Sequence, residues 1–494
     1  MQQTPPHHLD PLLNVIPEGV RRVHLIAVCG TGMGALALML KKIGLEVTGS
    51  DAGIYPPMSD LLSESGITLL EGFKPEHIGD ADLVVVGNAI RKENPEALAL
   101  GERKLPYCSF PQAVEGFFGR GKRTVVVAGT HGKTTTSSMM AWVLEYAGLD
   151  PSFMIGGVLQ NFSSNCKVGA GDFLVVEGDE YDTAFFDKGP KFLHYDPEVT
   201  ILTSVEFDHA DIYRDLSHVV SAFTAFMKKH RPEAAVMAGP GENVARVVAQ
   251  APCDVFTYGF RGAPVWRPEV IKDTAPETRF RLFYQGRLYG EYTLPMPGGH
   301  NVENAVSVIA ACHRLGLDRG RVAEALATFK GIRRRQEIRG QVGGVLVMDD
   351  FAHHPTAVAS TLSAVRSFYK GHRLVAIFEP RTNSSMRDVF QEAYTHAFEA
   401  ADLICVRMPP HPEKVPEGQR FSSEALVEAL KCSGKEAHLF PDAGAIVNYF
   451  QSEARAGDLL MVMSNGGFEG IHGRLLTMLE ARQVSPALSG VGKP

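Results

Sequence analysis

The stretch Thr124-Val-Val-Val-Ala-Gly129-Thr130-His131-Gly132-Lys133-Thr134-Thr135-Thr136 decides how this 494-residue chain is read. Its β-branched run predicts a strand, its glycines a tight turn, and its Lys-Thr pair the start of a helix. Backbone N–H groups of such a turn, with the positive end of the helix dipole, make a cradle for phosphate oxygens. Lys133 is placed to reach the terminal phosphates of a nucleotide and the Thr134 hydroxyl to ligate Mg²⁺, with Gly129, Thr130, His131, Gly132 and Thr135 completing the cradle. The usual spacing asks for a further glycine where Val127 stands, so the loop is a compressed variant. A Gly-Lys-Thr triplet alone is often only a turn; the strand before it and the helix after it favour nucleotide binding.

Around this loop, length and composition predict about three domains with ample core material, since 45% of residues are hydrophobic and 21% charged. A net charge of −7 without a long basic run gives no electrostatic footprint for nucleic acid. The seven cysteines (29, 108, 166, 253, 312, 405 and 432) show no CxxC spacing, which predicts reduced thiols in a cytoplasm. Residues 1–19 lack the basic start and apolar run of a signal peptide. The uncharged stretch 25–40 is shorter than a membrane span and holds three glycines, so it reads as a buried strand, turn and helix.

Three blocks alternate strand-like and helix-like segments, the pattern of parallel sheets covered by helices. The expected α/β chain divides into residues 22–120, 121–332 and 333–482, with a flexible tail at 483–494. Strands are expected near 23–29, 82–87, 173–176, 199–204, 345–348, 374–378, 403–406 and 459–463, and a helix over 35–43. The polar middle of the second block, 257–297, alternates like an antiparallel meander inserted before a helix that begins near Asn301.

Further motifs flank the phosphate loop. Gly30-Thr31-Gly32-Met33-Gly34 follows the first strand and Asp51 lies 21 positions after Gly30, a fingerprint for a pyrophosphate with its ribose, whether of NAD or of a UDP-sugar. Taken alone it is weak, because a tight turn also needs glycines. Glu177 closes one strand and His209 follows another, so both are expected at the carboxyl edge of the sheet as ligands for a divalent ion; a turn cap and a loop histidine are the plain alternatives. Asn301 and Asn304, three apart at a helix start, can face the edge of adenine, whereas an N-cap role accounts for Asn301 alone. The third block brings Arg335 and Asp350, suited on closure to a phosphate and a ribose, although a solvated basic hinge would look the same.

Together these residues resemble the Mur ligase family over roughly residues 23–479. The strings that carry the resemblance include Asp51-Ala-Gly-Ile-Tyr55-Pro-Pro-Met58, Asp179-Glu-Tyr-Asp182, Phe207-Asp-His-Ala-Asp211, Glu379-Pro-Arg381-Thr-Asn383 and Met463-Ser464-Asn465-Gly-Gly. It implies an N-terminal Rossmann-like UDP-binding domain, a central P-loop ATPase domain and a C-terminal Rossmann-like domain. It implies ligation of UDP-N-acetylmuramate to an amine with ATP and Mg²⁺, through an acyl phosphate. The Glu379-Pro-Arg381 and Glu180-Tyr-Asp182 strings resemble the branch that adds L-alanyl-γ-D-glutamyl-meso-diaminopimelate in peptidoglycan recycling, rather than the branch that adds L-alanine. No lysine stands between Asp211 and Met227, where several Mur ligases use a carbamylated one, a feature of the UDP-N-acetylmuramate-using branch.

The resemblance further implies UDP contacts from residues 30–34, Ser50, Asp51 and Asn88, and peptide contacts from Arg381, Asn383, Ser464 and Asn465. His353 is the candidate to receive a proton from the amine, and Lys133, Glu177, His209 and Arg335 complete the catalytic set. A cytoplasmic monomer or weak homodimer, without membrane insertion, is expected. Two readings of other classes compete. An NAD-dependent dehydrogenase would leave the second phosphate loop and the asparagine pair unused, and a silent UDP-muramate sensor would not need Lys133, Glu177 and His209.

Overall fold

The computed structural model describes residues 9–210 and 212–484. Three sheets organise them. The first is wholly parallel, in the order Thr68–Glu71, Glu46–Asp51, Arg22–Ile26, Leu83–Val86, Tyr107–Ser109. The central sheet runs Asp254–Thr257, Ala235–Ala238, Val199–Leu202, Arg123–Ala128, Phe173–Gly178, Ser152–Leu159, Ser164–Lys167, and its last pair is antiparallel. The third runs Glu337–Val342, Val345–Asp350, Asp458–Met463, Arg373–Phe378, Leu403–Arg407, Glu436–Phe440, parallel beyond its first hairpin. The expected three-domain α/β architecture is therefore the observed one.

The register of the central sheet positions the site. Val127 lies level with Glu177 on one side and with Ile201 on the other. Three carboxyl ends thus finish together, and the residues just beyond them share one edge, where open parallel sheets hold ligands. Alternate side chains of the middle strand face opposite layers. Val125 and Val127 join the core that includes Met139 and Met140 of helix Lys133–Tyr146; Val126 and Ala128 join the core that includes Phe223 and Phe226. Each fully buried valine contributes about 1.5–3 kcal/mol, so the strand under the phosphate loop is held from both faces.

The meander is present as Trp266–Thr274, Glu277–Tyr284 and Arg287–Leu294, all antiparallel. Its middle strand buries Thr278, Phe280 and Leu282 and exposes Arg279 and Arg281, the period of two on which the sequence reading rested. Two boundaries moved. The first strand ends at Ile26 because Ala27 turns to φ 68°, and the helix begins at Thr31, not 35, because extended Gly30 starts it. The last helix continues through residue 484, and the rest of the expected tail, 485–494, lies outside the described residues, as does Asp211. Among the described residues no helix is long and apolar enough to cross a membrane.

Candidate active site

Gly129 and Gly132 adopt φ 128° and 79°, in the region that only glycine enters freely. A Cβ on Gly129 would overlap the Thr203 hydroxyl and the Ser204 backbone, and one on Gly132 the Asn304 amide. The loop is pinned between them. The Thr130 N–H donates to the Ser204 carbonyl at 3.0 Å, the His131 N–H to Ser204 Oγ at 3.0 Å, and the Thr203 hydroxyl to the His131 carbonyl at 2.5 Å. Lys133 Nζ turns back to donate to the Gly129 carbonyl at 2.6 Å and to Glu180 Oε2 at 2.7 Å.

A carboxylate group surrounds that ammonium. Glu177 accepts from the Thr134 hydroxyl at 3.2 Å and from the Gly156 N–H at 2.7 Å. Asp179 accepts from Lys191 Nζ at 3.0 Å and from the Tyr181 hydroxyl at 2.7 Å. His209 Nε2 stands 3.3 Å from Glu180 Oε1, at ion-pair distance but off hydrogen-bond geometry, so that buried oxygen has no donor. His209 itself sits at φ 53°, a strained conformation for a residue with a Cβ, and its N–H is tied to Asp208 at 2.7 Å.

Electrostatics separates these acids. Burial, then repulsion by Asp179, raises the Glu177 pKa, with Lys133 and Arg335 opposing. Burial would raise Glu180 too, but Lys133 and His209 outweigh it and its pKa falls. For Lys133, burial works against the charge, yet Glu180 and Asp179 carry the net shift upward. Neighbouring carboxylates displaced in opposite directions let one stay ionised beside another that protonates more readily, the arrangement acid–base chemistry uses. Of the residues expected to ligate a divalent ion, the Thr134 hydroxyl and Glu177 meet at 3.2 Å, an oxygen pair that suits a hard cation, whereas His209 faces Glu180 rather than Glu177.

The asparagine pair comes from helix Gly299–Leu315, whose N-cap is Gly298 without a side-chain bond, so Asn301 is not a cap. Asn301 Nδ2 donates to the Pro297 carbonyl at 2.8 Å and to Gln336 Oε1 at 3.0 Å, and Asn304 Nδ2 approaches Asn301 Oδ1 at 3.4 Å. Arg335 lies over the Phe351 ring at 4.8 Å. Burial depresses the guanidinium pKa, while Asp350 of the third sheet and Glu177 of the central one support its charge. Asp350 has its pKa raised by burial against Arg335 and accepts the Gln336 and Ala352 N–H groups at 2.8 and 2.7 Å. Burial lowers the His353 pKa against the pull of Asp208, and its Nδ1 lies 3.1 Å from the Phe351 carbonyl.

The remaining expected contacts are more dispersed. Gly30, Thr31 and Gly32 are open at a helix N-terminus, and Asn88 is exposed; Met33, Gly34 and Ser50 are buried. The Ser50 hydroxyl donates to Glu96 at 2.5 Å, and Asp51 accepts from the Cys29 and Gly53 N–H groups at 2.9 and 3.0 Å. In the third block Arg381 lies against Gly466, and Asn383 is exposed. Ser464 is buried and donates to Glu379 at 2.5 Å, and the Asn465 carbonyl accepts from Arg334 at 3.4 Å. Glu379 and Glu469 both pair with Arg407.

Sequence reading passed over Asp179, Glu180 and Lys191 as site residues, although an acidic pair two residues after Glu177 was the available signal. Nothing local in the sequence marks Gln336, whereas Asp208 stands inside the Phe207-Asp-His-Ala-Asp211 string without having been assigned a role.

Three family models match consecutive parts of the chain: the Mur ligase family, catalytic domain, over residues 22–120, the Mur ligase middle domain over 127–312, and the Mur ligase, glutamate ligase domain over 334–466. The chain is 39% identical over 461 residues, 92% of its length and 97% of the other's, to UDP-N-acetylmuramate–L-alanyl-γ-D-glutamyl-meso-2,6-diaminoheptandioate ligase of Escherichia coli (strain K12). It is 30% identical to UDP-N-acetylmuramate–L-alanine ligase of Syntrophus aciditrophicus (strain SB), over 96% of this chain and 97% of that one. The crystal structure of a murein peptide ligase from Psychrobacter arcticus 273-4 superposes with TM-score 0.67 at 33% identity, covering 93% of this chain and 98% of that one. With its phosphate loop, its three sheets and similarity over nearly full length, the chain belongs to the Mur ligase family, ATP-dependent carboxylate–amine ligases of peptidoglycan metabolism.

Proposed function

We propose that this chain joins UDP-N-acetylmuramate to L-alanyl-γ-D-glutamyl-meso-diaminopimelate in peptidoglycan recycling, in the cytoplasm, as a monomer or weak dimer. A carboxylate cannot expel oxide, so it is activated first. A lactyl carboxylate oxygen attacks the γ-phosphorus of ATP, ADP leaves, and an acyl phosphate forms. The peptide amine then attacks the acyl carbon, the C–O bond to phosphate breaks, and the nitrogen gives up a proton. His353, neutral because it is buried, accepts that proton.

In this reading residues 22–120 hold the UDP portion through the open turn 30–32 and Asp51, residues 121–332 bind ATP, and residues 333–482 bind the peptide. Lys133 and Arg335 hold the phosphate chain, Asn301 and Asn304 the adenine, Asp350 the ribose, and Arg381, Asn383 and Asn465 the peptide. An arginine at 381 suits a terminal carboxylate, which it can grip with two parallel bonds. Thr134, Glu177 and His209 would hold Mg²⁺, whose charge, when bound, offsets that of the phosphoryl oxygens. The observation that carries the proposal is the part-buried Lys133 ammonium at 2.7 Å from Glu180, with Glu177 on Thr134 beside it.

The similarity to L-alanine ligases over 96% of the chain favours one second reading, addition of L-alanine. Purified protein supplied with UDP-N-acetylmuramate, ATP and either amine separates the two by ADP release. Turnover with L-alanine and none with tripeptide would overturn the specificity proposed here. Lactyl carboxylate labelled with ¹⁸O should deliver one labelled oxygen to the released phosphate; unlabelled phosphate would sink the acyl-phosphate route.

A further inference from the structure

A second cluster of metal-ligand side chains lies on the opposite flank of the phosphate loop from Glu177. His131 is in the loop itself, Glu206 follows the strand Val199–Leu202, and His354 is the N-cap of helix Pro355–Phe368 in the third domain. One ligand atom from each lies within 4.8 Å of the others. His131 Nε2 is 3.4 Å from Glu206 Oε2, and the two imidazole rings are 4.6 Å apart. We propose that His131, Glu206 and His354 form a transition-metal site of the zinc class, distinct from the Mg²⁺ site, whose occupancy clamps the third domain onto the phosphate loop and slows turnover.

The geometry suits such an ion. Bonds of about 2.0–2.2 Å in a tetrahedral site place ligand atoms about 3.4 Å apart, which is the His131–Glu206 spacing. His131 Nε2 is buried and makes no hydrogen bond, so ligation there would displace no existing bond. The loop backbone on either side of that ring is already fixed by Ser204 and Thr203. The His354 ring is held by the Thr356 N–H on Nδ1 at 3.3 Å and by the Phe207 carbonyl near Nε2 at 3.2 Å; ligation exchanges one of these bonds for the metal. The Thr356 hydroxyl donates to Glu206 Oε2 at 2.8 Å, the kind of outer hydrogen bond that orients a ligating carboxylate. The Glu206 side chain is 37% exposed, which gives an ion an entry from solvent. Two imidazoles and one carboxylate prefer zinc or cobalt over magnesium, whereas the oxygen-rich group at Glu177 does not.

The consequence follows from which elements the ion would join. Two ligands are on the central domain and one is on the third, and opening of domains around a nucleotide is the slow step in many enzymes. An ion across that seam opposes such opening.

The test uses the full chain, stripped with a chelator and titrated with Co²⁺ in excess Mg²⁺. One equivalent of Co²⁺ should bind with the visible absorption of four- or five-coordinate nitrogen–oxygen ligation, and Zn²⁺ should bleach it. His354→Gln should weaken binding at least about tenfold, and Glu206→Gln should do likewise, each variant being checked for an unchanged thermal transition. Zn²⁺ in excess Mg²⁺ should slow ADP release by the unmodified protein, and should slow His354→Gln much less relative to its own zinc-free rate. Absence of a cobalt spectrum, or unchanged cobalt affinity in both variants, would overturn the site. Cobalt bound without any zinc effect on rate would overturn the clamp. The spectroscopic arm does not depend on which amine the enzyme uses.

Discussion

Two segments of this molecule share one local plan, a strand, a glycine turn and a helix, and they end in different environments. At Gly30–Gly34 the helix N-terminus is open, and the nearby polar side chains are occupied by the protein itself. Ser50 donates to Glu96, and Asp51 holds the Cys29 and Gly53 N–H groups. At Gly129–Thr135 the turn is packed on both sides, and a part-buried ammonium, three carboxylates and an imidazole gather beside it. The first offers backbone and shape; the second offers concentrated charge. Binding without bond breaking needs only the former, while moving a phosphoryl group needs the latter.

The comparison is most easily broken at Lys133. Lys133→Ala should lower ATP-dependent ligation by about 10³-fold or more, with UDP-N-acetylmuramate affinity by calorimetry unchanged within about twofold. Joint loss of both would mean that the two pockets are not separate.

Acid should strike the central region next. Burial depresses His300, beside Asn301, to about 4, below the roughly 6.5 of an unfolded chain. Between those values the unfolded state binds more protons, so stability falls as pH drops from about 6.5 to 4 and then levels off. His209 is raised instead, so its contribution is complete below its unfolded pKa and does not fade across this window. Urea unfolding at pH 7.5 and pH 5 should show His300→Gln losing on the order of 2 kcal/mol less than the unmodified chain. Equal losses would remove His300 from the account.

Glu177→Gln should raise the Mg²⁺ concentration for half-maximal rate about tenfold or more. An unchanged metal titration would exclude Glu177 as a ligand. The smallest effect belongs to the first loop. Asp51→Ala frees two backbone N–H groups and should raise KM for the UDP-sugar several-fold to about tenfold with kcat nearly constant. A fall in kcat with constant KM would make that loop part of the chemistry and erase the contrast.

Much of the fold was legible because its signals are local. Four β-branched or small apolar residues before Gly129 made the central strand, and alternation through Arg279-Phe280-Arg281-Leu282 marked the meander. The candidate site was legible only in part. Ser50 and Met33 stand in the right motif yet point into packing, because one face of any strand or helix must be buried. Glu180 was passed over because its importance lies in a distance to Lys133, 47 positions away in the chain.

The sequence by itself determined the phosphate loop, the alternation of strands with helices and the family, since each rests on residue types at short, fixed spacings. The tertiary structure alone decided which charges meet. Strand register levels Glu177 with Val127, a left-handed His209 faces Glu180, and Arg335 lies in the fields of both Glu177 and Asp350. Burial then sets the sign of each pKa shift, and burial is a property of packing between distant segments that no short window of sequence contains.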